Sequence, residues 1–588
     1  MDAITKLQGC TTRSDLAYLL NYRPSHFAYL LYKTTPEQKY SQFNIAKKSG
    51  GERVINAPTE KLKQLQRNLS DLLLDCIDDI NKSKSKKSTL AHGFVRDKSI
   101  ITNAEMHKNK NNVLNIDLED FFGSFNFGRV SGFFIRNRNF LLNEVVATTI
   151  AQICCHNDEL PQGSPCSPVI TNLIAHSLDI RLASLAKKYS CTYTRYADDI
   201  TFSTRKNSFP VEIMAQDEGE YIPGRRLIGE IVRSGFRLNH NKTRIQFKDS
   251  RQDVTGLIVN NKIGIKREYR QLTKSMCNSL FQTGKYTKIV NGEHVEGSIN
   301  ELEGRLNFID SVDFYNRINH PEVLSILYAH RNHGYKTRAL LSSREKLLSK
   351  FLFYKNFYNA DKPTILCEGK TDNIYLLSAL NILSPDYKLL ASAATKTKKF
   401  EPKVQFFNYS KRTRFLLELY GGTSYLSGFI ASYQHHFLLY KAPNPKCPVV
   451  IVLDNDAGLK DIIKELCKIK SCTFSPRKAK GVDVGEAIKT TDFVHVCNNL
   501  YLVITPLDGD KDTMIEHSFE KHLWATKINN RVFDPTEKIE PKSNYYGKNV
   551  FATEVVKLNK NKINFDGFKP LFDRITKVIA HYAKNKDV

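Results

Sequence analysis

The sequence predicts a multidomain protein, an α+β first part followed by an α/β second part. Three observations predict this. The chain has 588 residues, and domains commonly hold about 100–200, so three or four folding units are expected. Up to about residue 350, helical and strand patterns alternate irregularly, as in α+β folds. Beyond Asp361-Lys-Pro363 a strand–loop–helix pattern restarts, and later comes the continuous β-branched run Val449–Leu453, of the kind buried in a parallel sheet. The boundary is expected near 350–362.

The elements follow in order. Leu62, Leu65, Leu69, Leu72, Leu73, Cys76 and Ile80 recur at helical spacing. Residues 81–88 form a polar, basic stretch expected as an exposed loop. Strands are expected at Val113–Ile116 and in two arms within Tyr193–Ser203. A basic helical tail follows residue 262. In the second part a strand, Thr364–Cys367, leads to a helix, Asp372–Leu383, and Leu500–Thr505 is a further strand.

Composition narrows the class. Hydrophobic residues are 41%, aromatics 11% and charged residues 25%, which excludes collagenous, disordered and disulfide-scaffold proteins. The net charge is +26. Residues 361–588 hold 35 basic and 25 acidic side chains, and residues 1–360 hold 52 and 36. Both parts are basic, which points to a polyanionic partner, nucleic acid before membrane. The twelve cysteines contain no CxxC pair, so reduced, mostly buried thiols are expected. No cationic leader with an apolar run opens the chain, and no apolar stretch approaches the ~20 residues of a membrane span. A cytoplasmic protein with no membrane partner is expected.

Two constellations carry chemistry. Asp117 follows the strand Val113–Ile116, and Asp198-Asp199 sits between aromatic and apolar runs, as at a hairpin tip. Adjacent carboxylates repel unless a cation neutralises them. Three at strand ends suit two Mg²⁺ ions, which activate an attacking hydroxyl and stabilise a leaving pyrophosphate. Between them lies Leu160-Pro-Gln-Gly-Ser-Pro-Cys-Ser-Pro168, a stiff loop able to lay backbone against a nucleotide. In the second part, Glu368 follows one strand, and Asp454 and Asp456 follow the run Val449–Leu453. Both sets fall where α/β sites form, at the carboxyl ends of strands. Asp454 and Asp456 can share one cation, with Glu368 as general acid or base or a further ligand. Asp508, Asp510, Asp512 and Glu516 make a third acidic cluster, and Lys478 and Lys480 a basic one. Gly421-Gly422 suggests a tight turn near this second site.

The first ordered set resembles a reverse transcriptase palm: Asp117 with Phe121-Phe122, Pro161-Gln-Gly-Ser164, then Tyr196-Ala-Asp-Asp199. The resemblance implies a right-hand polymerase of fingers, palm and thumb that uses dNTPs. It implies Asp117, Asp198 and Asp199 as metal carriers, Phe122 as a steric gate against a ribose 2′-hydroxyl, and Gln162 and Gly163 beside the nucleotide. Tyr196 belongs to the same nucleotide site. Lys242 in Gly235–Lys242 matches a lysine facing pyrophosphate, and Arg53 suits triphosphate oxygens.

Asn103-Ala-Glu-Met-His107 resembles the NAxxH element of retron reverse transcriptases, and Val254-Thr255-Gly256 their VTG element. That resemblance covers about 15–345. It implies a structured cognate RNA, priming from a guanosine 2′-hydroxyl, and a branched RNA-linked DNA product (msDNA). The order Glu-Gly…Asp-x-Asp at Glu368 and Asp454–Asp456 resembles a Toprim domain holding one or two Mg²⁺. Nothing matches a topoisomerase tyrosine or a primase's zinc and helicase-binding parts, so phosphodiester hydrolysis of a nucleic-acid target is the simplest reading.

The expected domains are thus 1–260 fingers and palm, 261–350 an RNA-binding thumb and linker, and 351–588 a Toprim nuclease-like effector used in antiphage defence. Alternatives are a mobile-element polymerase whose Toprim domain processes its own DNA, and a non-catalytic Toprim clamp. The sequence leaves oligomeric state open, although a basic protein wrapped by RNA could self-associate.

Overall fold

The computed structural model describes residues 2–46, 50–84, 90–290, 292–319, 341–479, 481–509, 511–536, 539 and 541–586. The chain forms two compact units, Met1–Lys266 and Arg267–Val588. Residues 85–88, Lys480 and Asp510 lie outside the described residues.

In the first unit, β1 (Tyr40–Ala46) and β2 (Glu52–Pro58) form an antiparallel hairpin. Helix α1 (Glu60–Ser83) buries Leu62, Leu65, Leu69, Leu73 and Cys76 on one face, as the helical spacing predicts. Helix α2 spans Ile100–Met106 and α3 Ser167–Lys188. Strands β3 (Asn112–Glu119), β4 (Thr192–Tyr196), β5 (Asp199–Thr204) and β6 (Arg237–Phe247) make an antiparallel sheet in the order β4-β5-β3-β6. Strand β3 runs through Asp117 instead of ending before it, because it is paired on both sides, to β5 and to β6. A two-residue turn, Thr255-Gly256, joins β7 (Asp253–Val254) to β8 (Leu257–Ile258). Both turn residues have positive φ, +46° and +81°, as a tight hairpin of this length demands.

The second unit begins with helices α4 (Arg267–Thr283), α5 (Ile299–Asn319) and α6 (Ser343–Phe353). Strand β9 (Thr364–Cys367), helix α7 (Lys370–Leu383), strand β10 (Gln405–Phe406) and helix α8 (Lys411–Leu417) follow. Then come β11 (Val449–Leu453), β12 (Thr473–Ser475), β13 (Phe493–Cys497), β14 (Leu500–Ile504) and the C-terminal helix α9 (Lys569–Asn585). The sheet order is β10-β9-β11-β14-β13-β12, with the first four strands parallel, β13 antiparallel to β14, and β12 antiparallel to β13.

Strand β11 shows why the sheet is covered on both faces. Val449, Ile451 and Leu453 enter one core, and Val450 and Val452 enter the other, the period-2 split of a doubly buried strand. The first of these cores also contains Cys277 and Leu280 of α4, Leu302 and Leu306 of α5, and Phe351 of α6. The segment expected as a separate thumb and linker, 261–350, therefore does not stand apart. From Arg267 onward it shares one apolar core with the α/β sheet, and Phe353, Tyr354, Phe357 and Tyr358 pack across the expected boundary.

An ionic junction ties the same helices together. Arg412 of α8 binds both oxygens of Asp310 on α5, at 2.7 and 2.5 Å, and Glu345 of α6 at 2.6 Å. Glu345 also receives Arg317 of α5 at 2.8 Å.

All twelve cysteines are free thiols. Among the described residues no helix is long and apolar enough to cross a membrane.

Candidate active sites

The β-sheet of the first unit gathers three carboxylates at one end. Asp117 stands opposite Asp199 on β5 and opposite Asn239 on β6. The Leu118 N–H donates to the Asp198 carbonyl at 3.1 Å, fixing the hairpin tip beside β3. Asp117 is only 8% exposed. Lys242 Nζ lies 3.0 Å from both its oxygens, and Asn239 Nδ2 donates to Oδ1 at 3.2 Å. Burial, and then the Asp198 and Asp117 charges, push the Asp199 carboxyl up to about 6. Burial and the Asp117 charge raise Asp198 as well, opposed by Lys242 and Arg53.

This is an all-oxygen donor set under mutual repulsion, which a hard divalent cation would relieve. The residues present therefore fit Mg²⁺. Among the described residues no group of three or more His, Cys, Asp or Glu is set as a metal cluster as it stands, and Lys242 supplies the countercharge to Asp117.

Two buried supports escape sequence reasoning. Arg195, fully buried on β4, forms a two-pronged pair with Asp179 of α3 at 2.7 and 2.8 Å. Its remaining nitrogen donates to the Ala197 carbonyl at 3.0 Å. Ala197 has φ +56°, so the guanidinium holds the hairpin tip in an uncommon conformation directly before the two acids. Gly93 lies against the same tip: a Cβ there would stand 2.6 Å from the Ala197 nitrogen. The second support is Gln66 of α1. It donates to Tyr40 Oη and the Ile153 carbonyl at 2.9 Å, and accepts from Ser164 Oγ at 2.9 Å. The loop Pro161–Ser164 is thereby pinned from beneath. Its Gln162 carbonyl accepts from Asn56 N–H of β2 at 3.1 Å. A sequence signal exists for Arg195: it is the one charged residue within the strand Thr192–Tyr196.

The other nucleotide-site candidates fall around this loop and tip. Arg53 is exposed on β2. Phe122 is half-buried and meets Phe121 edge-on at 5.6 Å. Tyr196 and Asp199 line a cavity of about 250 Å³ together with Arg244, Thr255 and Gly256. Asn103, His107 and Val254 are core residues and present no surface to RNA. His107 Nδ1 lies 2.7 Å from Ser203 Oγ and Nε2 lies 2.7 Å from Thr194 Oγ1, so it pins β4 to β5. The Thr255 hydroxyl donates to the Ile100 carbonyl at 3.2 Å, which joins the two short motifs.

The second constellation also assembles, at the carboxyl ends of β9 and β11. The Asp454 N–H donates to Glu368 Oε1 at 3.4 Å, and Asp454 Oδ1 accepts from Ile515 N–H at 2.8 Å. Asp456 Oδ1 accepts from Gly458 N–H at 2.7 Å. Gly422 N–H donates to the Glu368 carbonyl at 3.1 Å. At Gly421, φ is +97° and a Cβ would meet that carbonyl at 3.0 Å, which is why the double glycine stands here.

Burial, and then the Glu368 and Asp372 charges, push Asp454 up to about 8. Burial raises Glu368 to about 7 and Asp372 to about 6. Asp372 and Lys548 are members the motif reading did not place in the site, whereas Glu516 was expected there with the third acidic cluster. Glu516 is fully buried and ion-paired to Lys548 at 3.0 Å, and its charge acts on both Asp372 and Asp454. Asp372 was legible only as the first turn of α7. Asp508 is exposed and paired backbone-to-backbone with Lys511, apart from the buried carboxylates. Asp512 is ion-paired with Lys489 at 3.0 Å.

Comparison with known proteins concerns the first unit. The family model "Reverse transcriptase (RNA-dependent DNA polymerase)" matches residues 45–259. The chain is 35% identical over 288 residues to the retron Mx65 reverse transcriptase of Myxococcus xanthus, covering 46% of this chain and 60% of that protein. It is 34% identical over 283 residues to the retron Ec86 reverse transcriptase of Escherichia coli, covering 47% of this chain and 78% of that one. The chain thus spans less than two thirds of the Mx65 relative. Among solved structures, telomerase from Candida albicans is similar at 10% identity over 53% of this chain and 60% of that one, with a TM-score of 0.29, too slight a likeness to bear on function. On the Ec86 relationship, with a family model whose matched residues include Asp117, Asp198 and Asp199, the chain belongs to the retron reverse transcriptase family.

Proposed function

We propose that the first unit is an RNA-directed DNA polymerase. The observation that carries this is the convergence of Asp117, Asp198 and Asp199 at one sheet end under an Arg195 brace. Those three carboxylates would hold Mg²⁺, which supplies activation of the attacking hydroxyl and charge neutralisation at the phosphates. The chain's own residues do the rest. Arg53 meets the triphosphate, the Gln162-Gly163 backbone bounds the nucleotide, and Phe122 crowds a 2′-hydroxyl so that dNTPs are selected. Lys242 faces the leaving pyrophosphate and balances the acids when no nucleotide is present.

The finer reading is retron-specific. The enzyme binds a structured RNA, primes from a guanosine 2′-hydroxyl and leaves DNA branched to that RNA. The second unit is a Toprim-type, Mg²⁺-dependent phosphodiesterase built on Glu368, Asp454 and Asp456, with Asp372, Glu516 and Lys548 around them. It acts as an effector restrained within the nucleoprotein complex and released during phage infection to arrest growth. Carboxylates raised by burial, and then by one another's charge, support this reading.

The test compares wild type, Asp198→Asn/Asp199→Asn and Asp454→Asn/Asp456→Asn, each expressed with the native upstream RNA during phage challenge. Branched DNA, total nucleic acid and growth are followed. The first variant loses the branched DNA. The second makes it but loses cleavage and growth arrest. A second variant that still cleaves and arrests would remove the effector assignment while leaving the polymerase standing.

A further inference from the structure

A cavity of about 510 Å³ opens between α4, α5 and α6, and every described residue lining it belongs to the second unit. It is therefore distinct from the site around Asp117. Arg267, Arg270, Lys274, Arg344, Lys346 and Lys350 line it, against one carboxylate, Asp310. Asp310 is already engaged, since both its oxygens bind Arg412. Arg344 is paired with Asp313, and the Lys350 ammonium lies 4.7 Å over the Phe281 ring. Arg270 Nε is buried with no hydrogen-bond partner among the described residues. Burial, and then the Arg344 and Arg267 charges, push the Arg270 guanidinium below its ordinary range.

Cations gathered this way repel one another, and an anion among them relieves the repulsion. Ser343 opens the first turn of α6 at the same place. The Glu345 N–H of that turn is taken by Ser342 Oγ at 3.3 Å, which leaves the Ser343 and Arg344 N–H groups at the positive end of the helix dipole. Apart from Gln271, the rest of the described lining is apolar: Leu306, Ile309, Leu347 and Leu348. A bare inorganic anion would leave that surface uncovered. A cationic rim over an apolar floor instead matches a ligand with a charged end and a flat apolar body, at a volume usual for small-molecule sites.

We propose that this cavity binds a nucleoside phosphate, with its phosphates among Arg267, Arg270 and Lys274 and its base on Leu306, Ile309 and Leu347. Such a group has two sources, a free nucleotide or an unstacked nucleotide of a bound RNA strand.

The probe is ATP, titrated by equilibrium dialysis against the full-length protein in EDTA, which denies the Asp117 site its metal-dependent nucleotide binding. ATP binds, and Arg270→Gln/Lys274→Glu weakens it by at least about tenfold. Asp198→Asn/Asp199→Asn binds as wild type does. Adenosine and inorganic pyrophosphate, each carrying half of the recognised chemistry, compete at least about tenfold less well than ATP. Leu347→Trp, which crowds the floor from a half-buried position, weakens ATP and spares pyrophosphate, so the test survives a misfolded arginine variant. Absence of ATP binding, indifference to both the rim and floor variants, or pyrophosphate competing as well as ATP would overturn the proposal. Repeating the titration on protein purified with its RNA separates the sources. Retained binding assigns the site to a free nucleotide, and binding blocked by RNA assigns it to a nucleotide of the strand.

Discussion

Acid should loosen the polymerase hairpin through one histidine. His107 is fully buried between Ser203 and Thr194. Burial, with smaller contributions from the Lys110 and His92 charges, lowers its pKa from 6.5 to about 3. A group whose folded pKa is depressed binds its proton more readily when unfolded. Its contribution to stability is full above the unfolded pKa of 6.5 and is lost as pH falls toward 3. At pH 5 the linkage amounts to about 1.5 pK units, or roughly 2 kcal/mol, relative to pH 7.5. His107→Gln has no such titration and keeps one of the two hydrogen bonds, so it costs about 1–2 kcal/mol at pH 7.5. The gap should close or reverse at pH 5. Hydrogen exchange of peptides spanning β4 and β5 reads this directly, because comparing both proteins at the same pH cancels intrinsic exchange rates. A gap that stays constant within a few tenths of a kcal/mol between pH 7.5 and 5 would refute the reasoning.

Three further outcomes are expected. Arg195→Met leaves Asp179 buried without its partner and frees the Ala197 carbonyl; exchange in β4 and β5 should show a loss of about 3–5 kcal/mol, together with loss of primer extension. Gly93→Ala drives a Cβ into the Ala197 nitrogen. It should lower the primer-extension rate by about tenfold or more, since displacement of a catalytic group by ~1 Å can cost a hundredfold, and unchanged extension would show that the tip tolerates the shift. Measured above the raised Asp454 pKa of about 8, where the carboxylate is ionised, Asp454→Asn keeps an acceptor for Ile515 N–H while removing one charge from a crowded group. It should raise the melting temperature of the second unit, followed by the fluorescence of Trp524, the chain's one tryptophan, by about 1 kcal/mol equivalent, while abolishing phosphodiester cleavage.

The two acidic centres were legible because their chemistry is local. Asp198-Asp199 between apolar arms, and Asp454 and Asp456 after a five-residue β-branched strand, announce themselves within a few residues. The strands Thr364–Cys367 and Val449–Leu453 match the structure end for end. What held these centres in place was not legible. Arg195 meets Asp179, and Gln66 meets Ser164 across nearly a hundred positions, and a single sequence carries no sign of which buried polar groups will pair. His107 was read as a mark of kinship, whereas it is a structural pin. Lys548 has no motif of its own and reaches the second site through folding alone. The boundary expected near 350–362 marked a real change in the pattern of elements. It did not mark a change of core, because periodicity reports which face of an element is apolar and not which neighbour covers it.

The Arg412 junction has a consequence for how such proteins can diverge. One guanidinium clasps carboxylates from two helices that precede the α/β sheet, and a shared apolar core runs beneath them. An exchange of gene segments cut at the change of pattern near residue 355 would leave Asp310 and Glu345 in one parent and Arg412 in the other. It would leave the half-buried Asp310 without its cation in one hybrid, where Glu345 keeps only Arg317, and the half-buried Arg412 without its carboxylates in the reciprocal one, each a cost. A cut after Lys266 keeps all three in one piece. Viable chimaeras that replace the C-terminal half should therefore carry α4–α6 along as luggage of the incoming half, so that inheritance follows the packing seam.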